Sequence, residues 1–288
     1  MIKRLTKKQI VRICFAFVAI ILVIWTAWGN TAVEVNKVIV YFNDLPEAFN
    51  GYRIAHISDL HNARFGKNNE DILELLKSAS PDMIAITGDM IDSDKTDVGV
   101  AVRFVTEAVK IAPCFYVTGN HEAWVNKSVY AELEEKMKAA GVTVLHDSAF
   151  SVEKDGTYVS LIGMDDTEYA ARNSVMNSID ERLGTLSSTE SFTVLLSHRP
   201  ELFEEYCEAG IDLVLSGHAH GGQFRLPIIG GIAAPDQGLF PKYDAGRFSD
   251  GNTTMIVSRG IGNSIIPIRF NNRPEIVLIE LRVNSDDS

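Results

Sequence analysis

Five times in this chain a short apolar run is followed at once by Asp, Asn or His: "RIAHISDLH", "MIAITGD", "CFYVTGNHE", "TVLLSH" and "LVLSGHAH". No other feature restricts the fold as much. A run of four to eight aliphatic and β-branched residues, closed by turn-forming residues, reads as a buried strand. Segments with helical spacing follow the first three runs. "NEDILELLKSAS" has apolar residues at Ile72, Leu73, Leu75 and Leu76 and acids in its first turn. "VGVAVRFVTEAVKIA" and "VYAELEEKMKAAG" follow, the last with Gly141 as its stop. This β-α-β-α-β-α order predicts a layered α/β domain. The later chain changes character: "VTVLH", "FSVEKDGTYVSLIGM", "FTVLLSHRP", "TTMIVSRG" and "PEIVLIELRV" are mostly strands, with one helix expected around Leu202–Ala209. Rising strand content predicts two stacked sheets. Residues 221–248 lack periodicity and read as a long loop or lid.

The N-terminal segment sets a second constraint. Residues 13–28, "ICFAFVAIILVIWTAW", carry no charge and read as a transmembrane signal anchor, with Trp25 and Trp28 at the outer interface. The net charge of −11 divides into +5 over residues 1–12, from Lys3, Arg4, Lys7, Lys8 and Arg12, and −16 over the rest. A basic tail at 1–12 places that end in the cytoplasm. The chain is therefore expected to be a single-pass cell-membrane protein with its globular domain on the non-cytoplasmic side. A cleaved signal peptide, with Ala27-Trp28-Gly29 as the processing site, is the alternative. The acidic body argues against nucleic acid as a partner. The three cysteines make no disulfide framework. Residues 29–50 read as a lead-in, 51–282 as the globular domain and 283–288 as a polar tail.

The polar residues behind the strands carry the chemistry. Asp59 and His61 follow the first run, Asp89 and Asp92 the second, Asn120, His121 and Glu122 the third; His198 ends the fourth, and His218 and His220 follow the fifth. In open α/β sheets ligands bind beyond the carboxyl ends of the strands. Each motif alone has a plainer reading, as a turn, a cap or a solvated loop. Arriving in order, each behind an apolar run, they fit a site for two divalent ions. Imidazole and carboxylate suit Mn, Fe or Zn. Two ions roughly 3.5–4 Å apart share a water, lower its pKa and clamp a phosphoryl group for in-line attack. No Gly-x-Ser-x-Gly elbow or Walker A loop is present.

These blocks, "DLH", "GDMID", "GNHE", "SH" and "GHAH", resemble the pattern of the calcineurin-like metallophosphoesterases, over roughly Gly51 to Arg282. "LPEAFNGYRIAHISDLH" and "GHAHGGQFRLP" look like the membrane-associated bacterial branch of phosphodiesterases. The resemblance implies a two-sheet αββα sandwich behind one N-terminal transmembrane helix. It implies that Asp59, His61 and His220 hold one ion, that Asn120, His198 and His218 hold the other, and that Asp89 bridges them. His121 would face the substrate, and Asp92 would orient His121. A metal-bridging hydroxide would attack a phosphoester. A phosphodiesterase is expected, with a phosphomonoesterase, a pyrophosphatase or a catalytically silent scaffold as the competing readings. The anchor and the apolar stretch "LPIIGGIAAPDQGLF" extend the expectation to a substrate linked to a lipid or envelope component. His56 and His146 match no motif position. Arg64, Arg199, Arg225 and Arg259 stand near the motifs and read as surface or structural residues. The residues that bind the rest of the substrate, and the oligomeric state, have no signature in the sequence.

Overall fold

A computed structural model describes residues 6–175, 177–186 and 191–284. Lys3 and Arg4 of the basic tail, and the last four residues of the polar tail, lie outside the described residues. Helix α1 (Lys7–Thr31) leads into β1 (Glu34–Phe42). There follow β2 (Arg53–Ile57), α2 (Glu70–Ala79), β3 (Met83–Thr87), α3 (Val98–Ala108), β4 (Cys114–Val117), α4 (Asn120–Trp124), α5 (Lys127–Ala140) and β5 (Thr143–Val144). The second half contains β6 (Ser148–Lys154), β7 (Thr157–Gly163), α6 (Thr167–Arg172), α7 (Ile179–Leu186), β8 (Thr193–Leu196), α8 (Phe203–Glu208) and β9 (Leu213–Ser216). The loop beyond β9 holds two-residue strands, β10 (Arg225–Leu226) with β11 (Gly230–Gly231) and β12 (Ala233–Ala234) with β13 (Gly238–Leu239). The chain closes with β14 (Gly246–Asp250), β15 (Thr253–Val257) and β16 (Glu275–Val283).

Two six-stranded sheets form, ordered β1-β16-β2-β3-β4-β5 and β14-β15-β9-β8-β7-β6. Side chains alternate across each strand, and the alternation assembles the layers. Ile54, Met83, Ala85, Phe115 and Val117 of the first sheet meet Leu161, Val194, Leu196, Leu213 and Leu215 of the second. The other face of the first sheet, with Ile57, Ile84, Ile86 and Tyr116, is covered by Ile72 and Leu76 of α2, Phe104 of α3 and Leu133 of α5. Leu195 and Val214 of the second sheet pack on Leu183 of α7 and on Phe203 and Tyr206 of α8. The result is the αββα sandwich. The lead-in segment supplies β1, which pairs in parallel with β16 from Glu34↔Glu275 to Phe42↔Val283. Helices α6 and α7 have no clear counterpart in the periodicity, since α6 is only one and a half turns long and starts on the Asp166 cap, whose carboxylate accepts from Glu168 N–H.

Helix α1 runs further than the uncharged stretch, from a Thr6–Gln9 capping box to Thr31. Its 25 residues, at about 1.5 Å rise each, are long and apolar enough to cross the roughly 30 Å hydrocarbon core of a membrane. Its C-terminal end is tied to the domain. Asn30 Nδ2 donates to Arg269 O at 2.8 Å, and Arg269 N–H donates back to Asn30 Oδ1 at 2.7 Å. The Arg273 guanidinium lies 4.5 Å from the Trp28 ring centroid, a favourable cation–π stack.

Candidate metal centre

Strands β2, β3 and β4 are mutually parallel, as are β8 and β9. Their carboxyl ends therefore lie on one edge of each sheet, and the stacked sheets bring the two edges together. Asp59, His61, Asp89, Asn120, His121, His198, His218 and His220 are all at most 5% exposed. Five of them, Asp59, His61, Asp89, His218 and His220, take positive φ between 43° and 65°. Left-handed backbone at a non-glycine residue costs on the order of 1 kcal/mol or more and gathers at functional sites. The turns are tight enough that a methyl group at Gly217 would overlap Ser58 Oγ, and one at Gly119 would overlap Asp89 Oδ1.

Among the described residues four groups of three donors lie close enough to share an ion. Besides His61–Asp92–His121 and Glu201–His218–Asp236 there are two whose six residues are all buried, Asp59–His61–His220 and Asp89–His198–His218. In the first, His61 Nε2 lies 3.2 Å from His220 Nε2, and His220 Nε2 lies 3.3 Å from Asp59 Oδ1. In the second, His198 Nε2 lies 3.1 Å from His218 Nδ1, 3.1 Å from Asn120 Oδ1 and 3.3 Å from Asp89 Oδ2. The same Asp89 Oδ2 is 3.5 Å from His61 Nε2 and so stands between the groups.

Outer hydrogen bonds fix the tautomers of the second group. His198 Nδ1–H donates to Thr87 O at 2.6 Å, and His218 Nε2–H donates to Asp236 Oδ2 at 2.9 Å. In the neutral rings the inward nitrogens are lone pairs facing an amide oxygen and a carboxylate, so the cluster needs a positive charge at its centre, a proton on His198 Nε2 or a cation. A divalent cation satisfies all four atoms. Burial opposes charge on His198, yet Asp89 overrides it and lifts the imidazole to about 10. The pocket asks for positive charge there, and a metal supplies it. In the first group burial presses His220 down to about 3, and Arg269 Nη2 sits 3.3 Å from its Nδ1.

His121 and Asp92 are not paired in the way the resemblance implies. His121 Nδ1 accepts from Ser93 N–H at 3.0 Å, which leaves Nε2–H facing Ser264 Oγ at 3.1 Å. Asp92 Oδ1 instead accepts from Asp94 N–H and Lys95 N–H, closing the loop that aims Ser93. Its other oxygen is 3.9 Å from His61 Nδ1. Burial lowers the His121 pKa, which favours the neutral ring. Glu122 accepts from the N–H groups of Gly119, Asp89 and Met90, and so staples the two ligand loops together. Burial and then the Asp89 charge push its carboxyl up to about 7, against those donors.

Three residues had no sequence signal. Asp236 lies in the loop beyond β9, Ser264 after β15, and Arg269 is a fully buried cation whose Nε donates to Asn263 Oδ1 at 2.9 Å. Only long-range folding brings them to the ligands. Arg199, Arg225 and Arg259 are occupied by Asp166, Asp244 and Glu275. Arg64 pairs with Asp97 and lines a groove of about 570 Å³ that runs from His61 and His121 between the loops at 92–97 and 263–267. His56 is core: it is fully buried, with Nε2 2.8 Å from Thr87 Oγ1. His146 meets Asp165 and Glu134, away from the ligands.

Asp236 is held down to about 2 by its hydrogen bond to His218, with the Arg199 charge assisting. Carboxylates behind ligating histidines typically contribute 10–100-fold to metal affinity. Asp236→Asn is expected to weaken binding of an ion at the Asp89–His198–His218 group by about that factor, read by metal titration of the apo protein. A shift under about twofold would remove this role.

Known proteins bear on the same residues. The calcineurin-like phosphoesterase pattern matches residues 52–222, from the start of β2 to the glycines after His220. The metallophosphoesterase YkuE of Bacillus subtilis is 31% identical over 248 residues, 83% of this chain and 82% of its own length. The phosphodiesterase YaeI of Escherichia coli is 29% identical, over 84% of this chain and 86% of its own. A transmembrane protein with metallophosphoesterase domain from Danio rerio is 29% identical over 83% of this chain, which spans 55% of that longer protein. The chain belongs to the calcineurin-like phosphoesterase family and is a metal-dependent phosphoester hydrolase.

Proposed function

We propose that this chain is a membrane-anchored binuclear phosphodiesterase whose catalytic domain faces away from the cytoplasm. The observation that carries the reading is the position of Asp89, with one carboxylate oxygen within 3.5 Å of a histidine nitrogen from each donor group. Asp59, His61 and His220 would hold one ion, Asn120, His198 and His218 the other, and Asp89 would reach both. When bound, the pair supplies an activated water for in-line attack and neutralises phosphoryl charge. The chain's own residues do the rest. His121 Nε2–H points into the groove, where it donates to the leaving oxygen, and Ser93 N–H holds that tautomer. Asp92 acts through Ser93 by shaping its loop.

Preference for a diester is supported by space on both sides of His121. The 570 Å³ groove lies on one side, and a smaller one of about 150 Å³, bounded by His218, Pro235 and Asp236, on the other. A lipid-linked or envelope phosphoester is supported by Ile265, which lines both grooves at His121 and is 79% exposed. Anchoring rests on α1, and orientation on the basic residues that precede it.

The test supplies a membrane-impermeant aryl phosphodiester outside sealed right-side-out vesicles that carry the full chain. Mn²⁺-dependent hydrolysis is expected without detergent, with two ions per chain by elemental analysis. Purified protein that binds no metal would sink the centre. Turnover that appears only after lysis would sink the orientation.

A further inference from the structure

A second groove, about 530 Å³, lies between α1 and the segment Asn263–Ile268. Leu22, Val23 and Ala27 form one wall, and Pro267 and Ile268 the other. Its lining is mainly apolar. Leu22 lies six residues from Trp28, about 9 Å at helical rise, on the side away from the domain-tied end of α1. If Trp28 marks the interface, the groove sits at acyl-chain depth. The position of α1 against this segment is held by the paired Asn30–Arg269 hydrogen bonds and by the Arg273–Trp28 stack.

The same segment is the wall of the active-site groove. Asn263 and Pro267 line both cavities, and Ser264 Oγ reaches His121 Nε2 at 3.1 Å. Only this one loop separates the apolar groove beside α1 from the group assigned to the leaving oxygen. A ligand that spans the two needs a charged phosphoester at one end and a hydrocarbon chain at the other.

We infer that the groove between α1 and Asn263–Ile268 binds a hydrocarbon chain of the substrate, so that the centre acts on a phosphodiester of a membrane lipid held at headgroup depth. The inference rests on the phosphodiesterase reading and adds to it where the chain lies. A tail already in the bilayer gains little transfer free energy by entering the groove, so its role there is orientation of the phosphate. A short chain drawn from water gains both, because each buried methylene favours the complex.

The test uses the full chain in phosphatidylcholine nanodiscs with Mn²⁺ and two substrates, methyl and hexyl p-nitrophenyl phosphate, each hydrolysed to p-nitrophenol and the alkyl phosphate. The wild-type kcat/KM is expected to be at least about tenfold higher for the hexyl ester, mostly through KM. Ala27→Trp fills the groove and is expected to bring the ratio below about threefold. Ile21→Trp, on the opposite face of α1, is expected to leave the ratio as it is and so controls for partitioning into the disc. A wild-type ratio near one, or a high ratio untouched by Ala27→Trp, overturns the inference. An Ala27→Cys variant reads the groove without turnover: hexyl phosphate, but not methyl phosphate, is expected to slow maleimide labelling at residue 27. Equal labelling with both overturns it, as do residue-27 disulfide dimers, which would mean a second copy of α1 fills the groove. An Ala27→Cys variant that labels as expected, beside a wild type that hydrolyses neither ester, refutes the phosphodiesterase reading and leaves the groove assignment standing.

Discussion

Asp89→Ala is expected to lose both ions and, with them, at least about 10³-fold in kcat/KM, roughly 4 kcal/mol of transition-state stabilisation. The carboxylate is 1% exposed and stands between His61 and His198. Alanine there leaves two buried imidazoles facing a void with no shared anion. It also removes the acceptor for His121 N–H, which donates to Asp89 Oδ1 at 2.9 Å. Asp89→Asn keeps volume and that hydrogen bond but removes the charge. It is expected to fall between wild type and alanine in metal content. Elemental analysis after dialysis, beside diesterase assays, makes the measurement. An alanine variant that retains two ions and ordinary turnover would refute the bridging role.

His121→Ala is expected to behave in the opposite way. The tie from residue 121 to Asp89 is made by the backbone N–H, which alanine retains. Metal content is therefore expected to stay at the wild-type level while kcat falls about 10²–10³-fold, the usual range for removing one positioned hydrogen-bond donor. The loss is expected to be greater for an alkoxide leaving group than for p-nitrophenolate, because the poorer leaving group builds up more charge on the oxygen that accepts the hydrogen bond from Nε2–H. A loss independent of leaving-group pKa would leave His121 as an electrostatic contact only. Loss of metal together with turnover would place it among the ligands.

Much of the fold was legible because its signals are local. "MIAIT" and "LVLS" are buried strands by composition, and all four residues of β9 and all five of β3 are buried. Gly141 ends α5 in the left-handed conformation, with φ 99°. The short helices α6 and α7 were not legible, because they make few turns and their apolar contacts, such as Leu183 on the second sheet, come from distant residues. At the centre the motif residues were legible as a set, but their partners were not. Asp236 is eighteen positions from His218 and sits in an ordinary-looking "APDQG" turn. The route from Asp92 to His121 lies below the resolution of a motif, since the backbone N–H of the next residue, Ser93, occupies the ring nitrogen.

By itself the sequence determined which donors exist and that each stands at the end of a buried strand, because strand formation and the turn behind it depend on a few consecutive residues. The tertiary structure alone decided how those donors group. His61 and His220 are 159 positions apart and meet at 3.2 Å, and His198 meets Asp89 across the two sheets at 3.3 Å. Coordination works over a few ångströms, and only the stacked sheet edges, with five ligand residues held in left-handed backbone, set distances that fine. The same packing placed Asn263–Ile268 between the reacting groove and α1, a juxtaposition of segments more than 230 residues apart that no local pattern contains.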